Sequence, residues 1–74
     1  MSEIGKRIGH RIKIRRAVLG MTQAQLAQAL GVTQAYLSYM ERGERPIDTE
    51  MLSQIATALK CETDDLMNEK RKLA

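Results

Sequence analysis

Residues 22–43 read Thr22-Gln23-Ala24-Gln25-Leu26-Ala27-Gln28-Ala29-Leu30-Gly31-Val32-Thr33-Gln34-Ala35-Tyr36-Leu37-Ser38-Tyr39-Met40-Glu41-Arg42-Gly43. Thr22 with Gln25 three residues later is a capping-box arrangement, so a helix starts there. Leu26, Ala27 and Leu30 form its inner stripe, and Gly31 closes it. Thr33 caps again. The next helix runs Gln34–Arg42, with Leu37 and Met40 inward and Gln34, Ala35, Ser38 and Tyr39 outward; Gly43 ends it. Only Gly31-Val32-Thr33 joins the two helices, so they must cross steeply. The second of the pair then projects from the body with a polar, uncharged start.

Working outward, Ile4, Ile8 and Ile12 recur every four residues, and Val18 and Leu19 extend that apolar face. This predicts a first helix over about residues 3–19, with Ser2 as N-cap and Gly20 as terminator. Beyond Pro46, Asp48 caps a fourth helix. Its Met51, Leu52, Ile55, Ala56 and Leu59 follow the pattern of a strongly buried helix. Thr63 opens a short fifth helix ending about residue 68. Asp64 and Asp65 lie in its first turn, where carboxylates suit the helix dipole. Its Leu66 and Met67 face inward or toward a partner. The Lys70-Arg71-Lys72 tail is expected to fray. No strand alternation and no internal repeat is visible. The expectation is an all-α, five-helix single domain over residues 1–74.

Composition agrees with that class. The 74 residues have a mass of 8.3 kDa, and a domain of this size buries only about 60% of its unfolded surface. A hydrophobic fraction of 43% is too high for a disordered chain. Tyr36 and Tyr39 are the only aromatics, so Leu, Ile, Ala and Met must build the core. Met21, Met40, Met51 and Met67 are assigned to core or dimer packing. One cysteine and one histidine exclude an internal disulfide and a Cys/His metal cluster. Cys61 reads as a partly buried small hydrophobe and His10 as a surface residue; no metal and no cofactor is expected. No apolar run approaches the roughly 18 residues of a membrane span. Met1–Lys6 lacks a signal-peptide stretch, so the cytoplasm is the expected compartment. Gly5 and Gly9 lack the lysine and hydroxyl residue of a phosphate loop. Asp64 and Asp65 are adjacent and do not face each other as an acid/base pair. An enzyme is therefore disfavoured.

The net charge is +3. Lys6, Arg7, Arg11, Lys13, Arg15 and Arg16 stand against Glu3 alone in residues 1–20, while acids gather after residue 46. Such a split fits either a side that meets a polyanion or a solvated basic helix face. The polar helix start is more specific. A glutamine at a projecting helix N-terminus can pair bidentately with adenine in the major groove. The starts at Thr22-Gln23 and Thr33-Gln34 also offer backbone N–H groups to phosphates. Arg42 and Arg45 flank the far end, suited to the backbone of the other strand.

Thr22-Gln23-x-x-Leu26-Ala27-x-x-Leu30-Gly31-Val32-Thr33-Gln34 resembles the helix-turn-helix of the Xre-type, Cro/CI-like phage repressors. Leu37-Ser38-x-x-Glu41-Arg42-Gly43-x-Arg45-Pro46 matches the same family. So do Leu52-x-x-Ile55-Ala56-x-Ala58-Leu59 and Thr63-x-Asp65-Leu66. The resemblance spans about residues 8–67. The length and basic first helix also resemble the small controller proteins of restriction–modification systems. The implied fold is the lambda-repressor-like five-helix domain, with the helix-turn-helix at about 22–42 and helices 4–5 at about 48–68 serving core and dimerisation.

The resemblance implies roles residue by residue. Thr33, Gln34, Ala35, Tyr36 and Tyr39 would face base edges. Thr22, Gln23, Ser38, Arg42 and Arg45 would meet phosphates, with Gln23 also bracing Gln34. Arg16 and Glu41 would form a buried ion pair tying helix 1 to the end of helix 3. Ile55, Leu59, Leu66 and Met67 would form the dimer interface. The implied partners are a double-stranded DNA operator with inverted half-sites, a second copy of the chain and, for an activator, RNA polymerase. With no inducer-binding or self-cleavage module expected, regulation would follow the protein's own concentration. Two departures stand out. Ala35 is small where several repressors carry a longer reading residue, which moves readout to Gln34, Tyr36, Tyr39 and Arg45 or to DNA shape. Lys60 replaces the usual glycine after helix 4, so that helix is expected to end without a left-handed residue. An antitoxin with a toxin partner, or a protein-interaction module on the same scaffold, are the alternative readings.

Overall fold

Side chains start three of the helices. Thr22 Oγ1 accepts from the Gln25 N–H at 3.0 Å, and Gln25 Oε1 accepts from the Thr22 N–H at 2.8 Å. Thr33 Oγ1 accepts from the Tyr36 N–H at 3.0 Å, and Asp48 Oδ1 from the Met51 N–H at 2.7 Å. Each such cap satisfies a backbone donor that the helix itself leaves open, and contributes about 1 kcal/mol. The computed structural model describes residues 3–67; the expected Ser2 cap and the tail at 70–72 lie outside them. Five helices follow in order: α1 (Glu3–Val18), α2 (Gln23–Leu30), α3 (Gln34–Glu41), α4 (Thr49–Ala58) and α5 (Thr63–Met67). Among the described residues there is no strand, and the all-α, five-helix expectation holds.

The first four helices end in one hydrogen-bond pattern. Two successive N–H groups turn back to carbonyls of the last turn: Gly20 to Ala17 and Met21 to Arg16, Gly31 to Gln28 and Val32 to Ala27, Gly43 to Met40 and Glu44 to Tyr39, Lys60 to Thr57 and Cys61 to Ala56. The pattern needs a left-handed residue at its first position. Glycine supplies it three times. The fourth time Lys60 does so, with φ 58°. The expected exit of α4 without a left-handed residue is thus corrected. Arg15 reaches this corner from α1, donating from Nε to the Leu59 carbonyl at 3.0 Å and from Nη2 to the Lys60 carbonyl at 3.1 Å. A cation here also suits the negative end of the α4 dipole.

Ile8, Ile12, Leu26, Ala27, Leu37, Met40, Leu52, Ile55, Ala56, Leu59 and Leu66 form the core. Met21 and Met51 pack against it. Two expectations fail here. Val18 is 68% exposed and Leu19 lies at the surface, because Arg15 and Arg16 take over from Ile12 as the residues of α1 that reach the other helices. Ile55, Leu59 and Leu66 are essentially fully buried within the single chain. Their side chains are consumed by the monomer core and are not available as dimer anchors. Of that group only Met67 is open, at 54% exposure.

Gly9 sets how closely α1 crosses the end of α3. A Cβ at this position would overlap the Glu41 carbonyl oxygen and come to 2.6 Å from the Met40 carbonyl oxygen. Both obstacles are backbone, so neither can step aside. The close crossing in turn brings Arg16 of α1 within reach of Glu41 at the last position of α3.

Candidate nucleic-acid interface

A continuous polar chain runs from the interior to the start of α3. Arg16 donates from Nε to Glu41 Oε2 at 2.8 Å and from Nη2 to Glu41 Oε1 at 3.1 Å. A third nitrogen, Nη1, donates to the Met21 carbonyl at 3.1 Å. Gln23 Nε2 donates to Glu41 Oε1 at 3.0 Å. Gln34 Nε2 then donates to Gln23 Oε1 at 3.3 Å. Glu41 is 7% exposed and Gln34 is exposed. Hydrogen bonds therefore connect a buried ion pair to a surface amide at the N-terminus of α3. Among the described residues the exposed Gln34 side chain makes no second hydrogen bond, so its Oε1 can still accept and its second N–H can still donate.

The remaining candidates divide by exposure. Thr33, Gln34, Ala35 and Tyr39 are exposed, three of them at the start of α3. The Thr22 and Thr33 hydroxyl oxygens are engaged in capping, and both residues are exposed. Tyr36 is half-buried against the core, and the Arg45 guanidinium lies 4.9 Å from its ring centre. Its ring is a seat for Arg45 more than an open reading edge. Ser38 is half-buried, and its Oγ accepts from Arg42 Nη1 at 3.0 Å. Arg42 also lies 5.0 Å from the Tyr39 ring centre. Both arginines are exposed at the far end of α3, opposite Gln34.

The basic first helix plays a different part from the one its charge suggests. Arg16 is bound to Glu41, Arg15 to the end of α4, and Arg11 Nη1 donates to the Leu66 carbonyl in α5 at 3.1 Å. Three of its six bases thus hold neighbouring helices together. Lys6, Arg7 and Lys13 remain exposed. These structural roles of Arg11 and Arg15, and the contact made by Gly9, were not apparent from the chain pattern. The regular spacing of Arg11 and Arg15, one helical turn apart, was the available signal.

Cys61 is half-buried beside Arg15 and Asp65. Burial pushes its thiol above the ordinary value of 9.0; the Arg15 charge opposes this and Asp65 adds to it. It is therefore a quiet thiol, not an activated nucleophile. Among the described residues no helix is long and apolar enough to cross a membrane.

Known proteins share both the sequence pattern and the architecture. Residues 12–66 match the helix-turn-helix family. An uncharacterised HTH-type transcriptional regulator of Mycobacterium tuberculosis is 40% identical over 58 residues, which are 78% of this chain and 41% of that protein. The chain thus spans about two-fifths of that regulator's length. The clp gene regulator ClgR from Corynebacterium glutamicum is similar in structure, with a TM-score of 0.88 and 30% identity over 96% of this chain and 91% of that one. The restriction-modification controller protein C.AhdI from Aeromonas hydrophila is similar with a TM-score of 0.78 and 31% identity, covering 82% and 92% of the two chains. With α2 and α3 packed together across a three-residue connection and a polar, exposed start on α3, this chain belongs to the Xre-type helix-turn-helix family of DNA-binding transcriptional regulators.

Proposed function

We propose that this chain reads a specific duplex operator through α3 and does so as a homodimer. The observation that supports this best is the braced Gln34. An amide fixed by Gln23, itself fixed by the Arg16–Glu41 pair, presents a bidentate edge at low entropic cost, as adenine recognition in the major groove needs. Thr33 and Ala35 supply methyl groups on either side for thymine. Tyr39 extends the reading surface, and Arg45 and Arg42 meet phosphates at the far end. Thr22 and Gln23, at the start of α2, take the phosphate on the near side.

One such helix covers only a few base pairs, so specificity against a genome requires two. The dimer is isologous, and its operator carries inverted half-sites about 10 bp apart. With Ile55, Leu59 and Leu66 consumed by the core, we place the pairing surface on the flank formed by α1 and α5. Met67 is exposed there. Ile14 and Val18, 49% and 68% exposed, follow Arg11 at helical spacing on the side that reaches α5. The likeness to C.AhdI favours a controller or repressor that acts near its own promoter, and activation would add RNA polymerase as a partner.

Selection of duplexes from a random pool, followed by fluorescence anisotropy at several salt concentrations, tests this reading. The expected result is an inverted repeat whose preference at one base pair relaxes in Gln34→Ala, by about 1–3 kcal/mol. Weak binding that is equal for every sequence would overturn it. A monomer in sedimentation at micromolar concentration would overturn the dimer.

A further inference from the structure

Arg42 and Arg45 sit three residues apart at the same end of α3, yet their surroundings differ. Among the described residues, Arg45 has no carboxylate partner; it rests on the Tyr36 ring. Arg42 is held on three sides. Nη1 donates to Ser38 Oγ at 3.0 Å, Nη2 donates to Glu44 Oε1 at 3.3 Å, and the Tyr39 ring lies 5.0 Å below. The ion pair is open to solvent, with side-chain exposures of 54% and 49%, so it can exchange quickly. An approaching phosphate needs the same guanidinium N–H groups that Ser38 and Glu44 occupy. It also meets a pair whose charges cancel.

We propose that Glu44 is a specificity-determining residue that withholds Arg42 from phosphates on non-cognate DNA. This rests on the DNA-binding reading above. Arg45 gives a standing, sequence-independent anchor. Arg42 joins only when contacts along α3 hold the duplex in place long enough for a phosphate to displace Glu44. Counterion balance gives the signature. Each phosphate neutralised by a free cation contributes about −0.9 to the slope of log K against log salt. While Arg42 stays on Glu44 it neutralises no phosphate and releases no counterion from the DNA. Arg42 therefore adds little to the slope while Glu44 is present, and nearly a full unit once it is neutralised.

The test uses the full chain, a labelled random-sequence duplex and salt from about 50 to 200 mM. Five proteins are compared: wild type, Glu44→Gln, Arg42→Ala, the double variant, and Glu50→Gln. The last removes one exposed acid from the first turn of α4 and controls for net charge. Glu44→Gln is expected to bind more tightly, with a slope steeper by about 0.9, which makes its affinity fall roughly threefold more than wild type across that salt range. The double variant should match Arg42→Ala, and Glu50→Gln should keep the wild-type slope. A gain in Glu44→Gln that persists without Arg42, or that Glu50→Gln reproduces, would overturn the proposal by reducing it to bulk charge. Wild type that binds while Glu44→Gln behaves identically overturns this proposal and leaves the DNA reading intact. Failure of wild type and all variants to bind at the lowest salt overturns both.

Discussion

Arg16 and Glu41 form a two-pronged ion pair between α1 and the last position of α3, at 2.8 and 3.1 Å. Among the described residues no buried side-chain oxygen or nitrogen lacks a hydrogen-bond partner. This matters because a buried pair adds little net stability when complete, whereas removal of one member strands the other. Glu41→Ala would leave the Arg16 guanidinium half-buried with no counter-charge and Gln23 without its acceptor. The expected loss is about 3–5 kcal/mol, read as an early transition in urea by circular dichroism. Replacement of both members by apolar residues of similar volume should cost less than either single change. A double variant as unstable as the singles would refute that account.

At Gly9 the usual helix-propensity argument reverses. Elsewhere in an exposed helix interior Gly→Ala gains about 1 kcal/mol. Here the added methyl meets the Met40 and Glu41 carbonyls, so Gly9→Ala should destabilise by about 1–3 kcal/mol. It should also pull Arg16 away from Glu41. Thermal melting checks the sign: a melting temperature that rises would show that α1 can shift without penalty.

Lys60 offers the opposite opportunity. A non-glycine residue in the left-handed region costs about 1–2 kcal/mol, and its side chain is exposed. Lys60→Gly should therefore stabilise the protein by up to about 1 kcal/mol, raising the melting temperature by roughly 4–8 °C for a domain this small. Arg15→Met should lower it, since the guanidinium that bonds both carbonyls of this corner is lost. An unchanged midpoint for Lys60→Gly would mean that the turn carries no strain.

Cys61 gives a pH dependence with a definite sign. Its thiol titrates higher in the folded than in the unfolded chain, chiefly through burial. The folded state therefore holds the proton longer. The stability contributed is fully present below the unfolded value and is lost as pH rises through the folded one. Two outcomes follow. Alkylation by iodoacetamide near pH 8 should be slower in the folded protein than in urea-unfolded chain. Cys61→Ser should flatten the decline of stability above pH 9. Alkylation at the unfolded rate would contradict the burial.

Much of the architecture is legible in local chemistry. Thr22, Thr33 and Asp48 each stand one residue before a helix, followed by apolar residues at helical spacing. The caps and ends act within a few residues of chain, so their signals are short-range. The same holds for the glycines at positions 20, 31 and 43. The reading failed where a side chain's role depends on a partner far along the chain. Val18 and Leu19 carry the right residue types for a buried stripe, but α1 has already turned that face to solvent. Ile55, Leu59 and Leu66 have the apolar character of an interface and of a core alike. Only the closure of α1, α4 and α5 around them assigns the core.

The sequence by itself determined the helices, their order, the tight α2–α3 connection and the polar start of α3. These follow from backbone capping and from a periodicity that operates over one or two turns. Tertiary structure alone decided that Arg11 and Arg15 are spent on the ends of neighbouring helices, why Gly9 has no side chain, and that Gln23 joins the Gln34 amide to the Arg16–Glu41 pair through Glu41 Oε1. It also decided that Arg42 is paired with Glu44, while among the described residues Arg45 has no carboxylate partner. Charge and hydrogen bonding depend on distance and desolvation, and both are set only when segments distant along the chain are brought together.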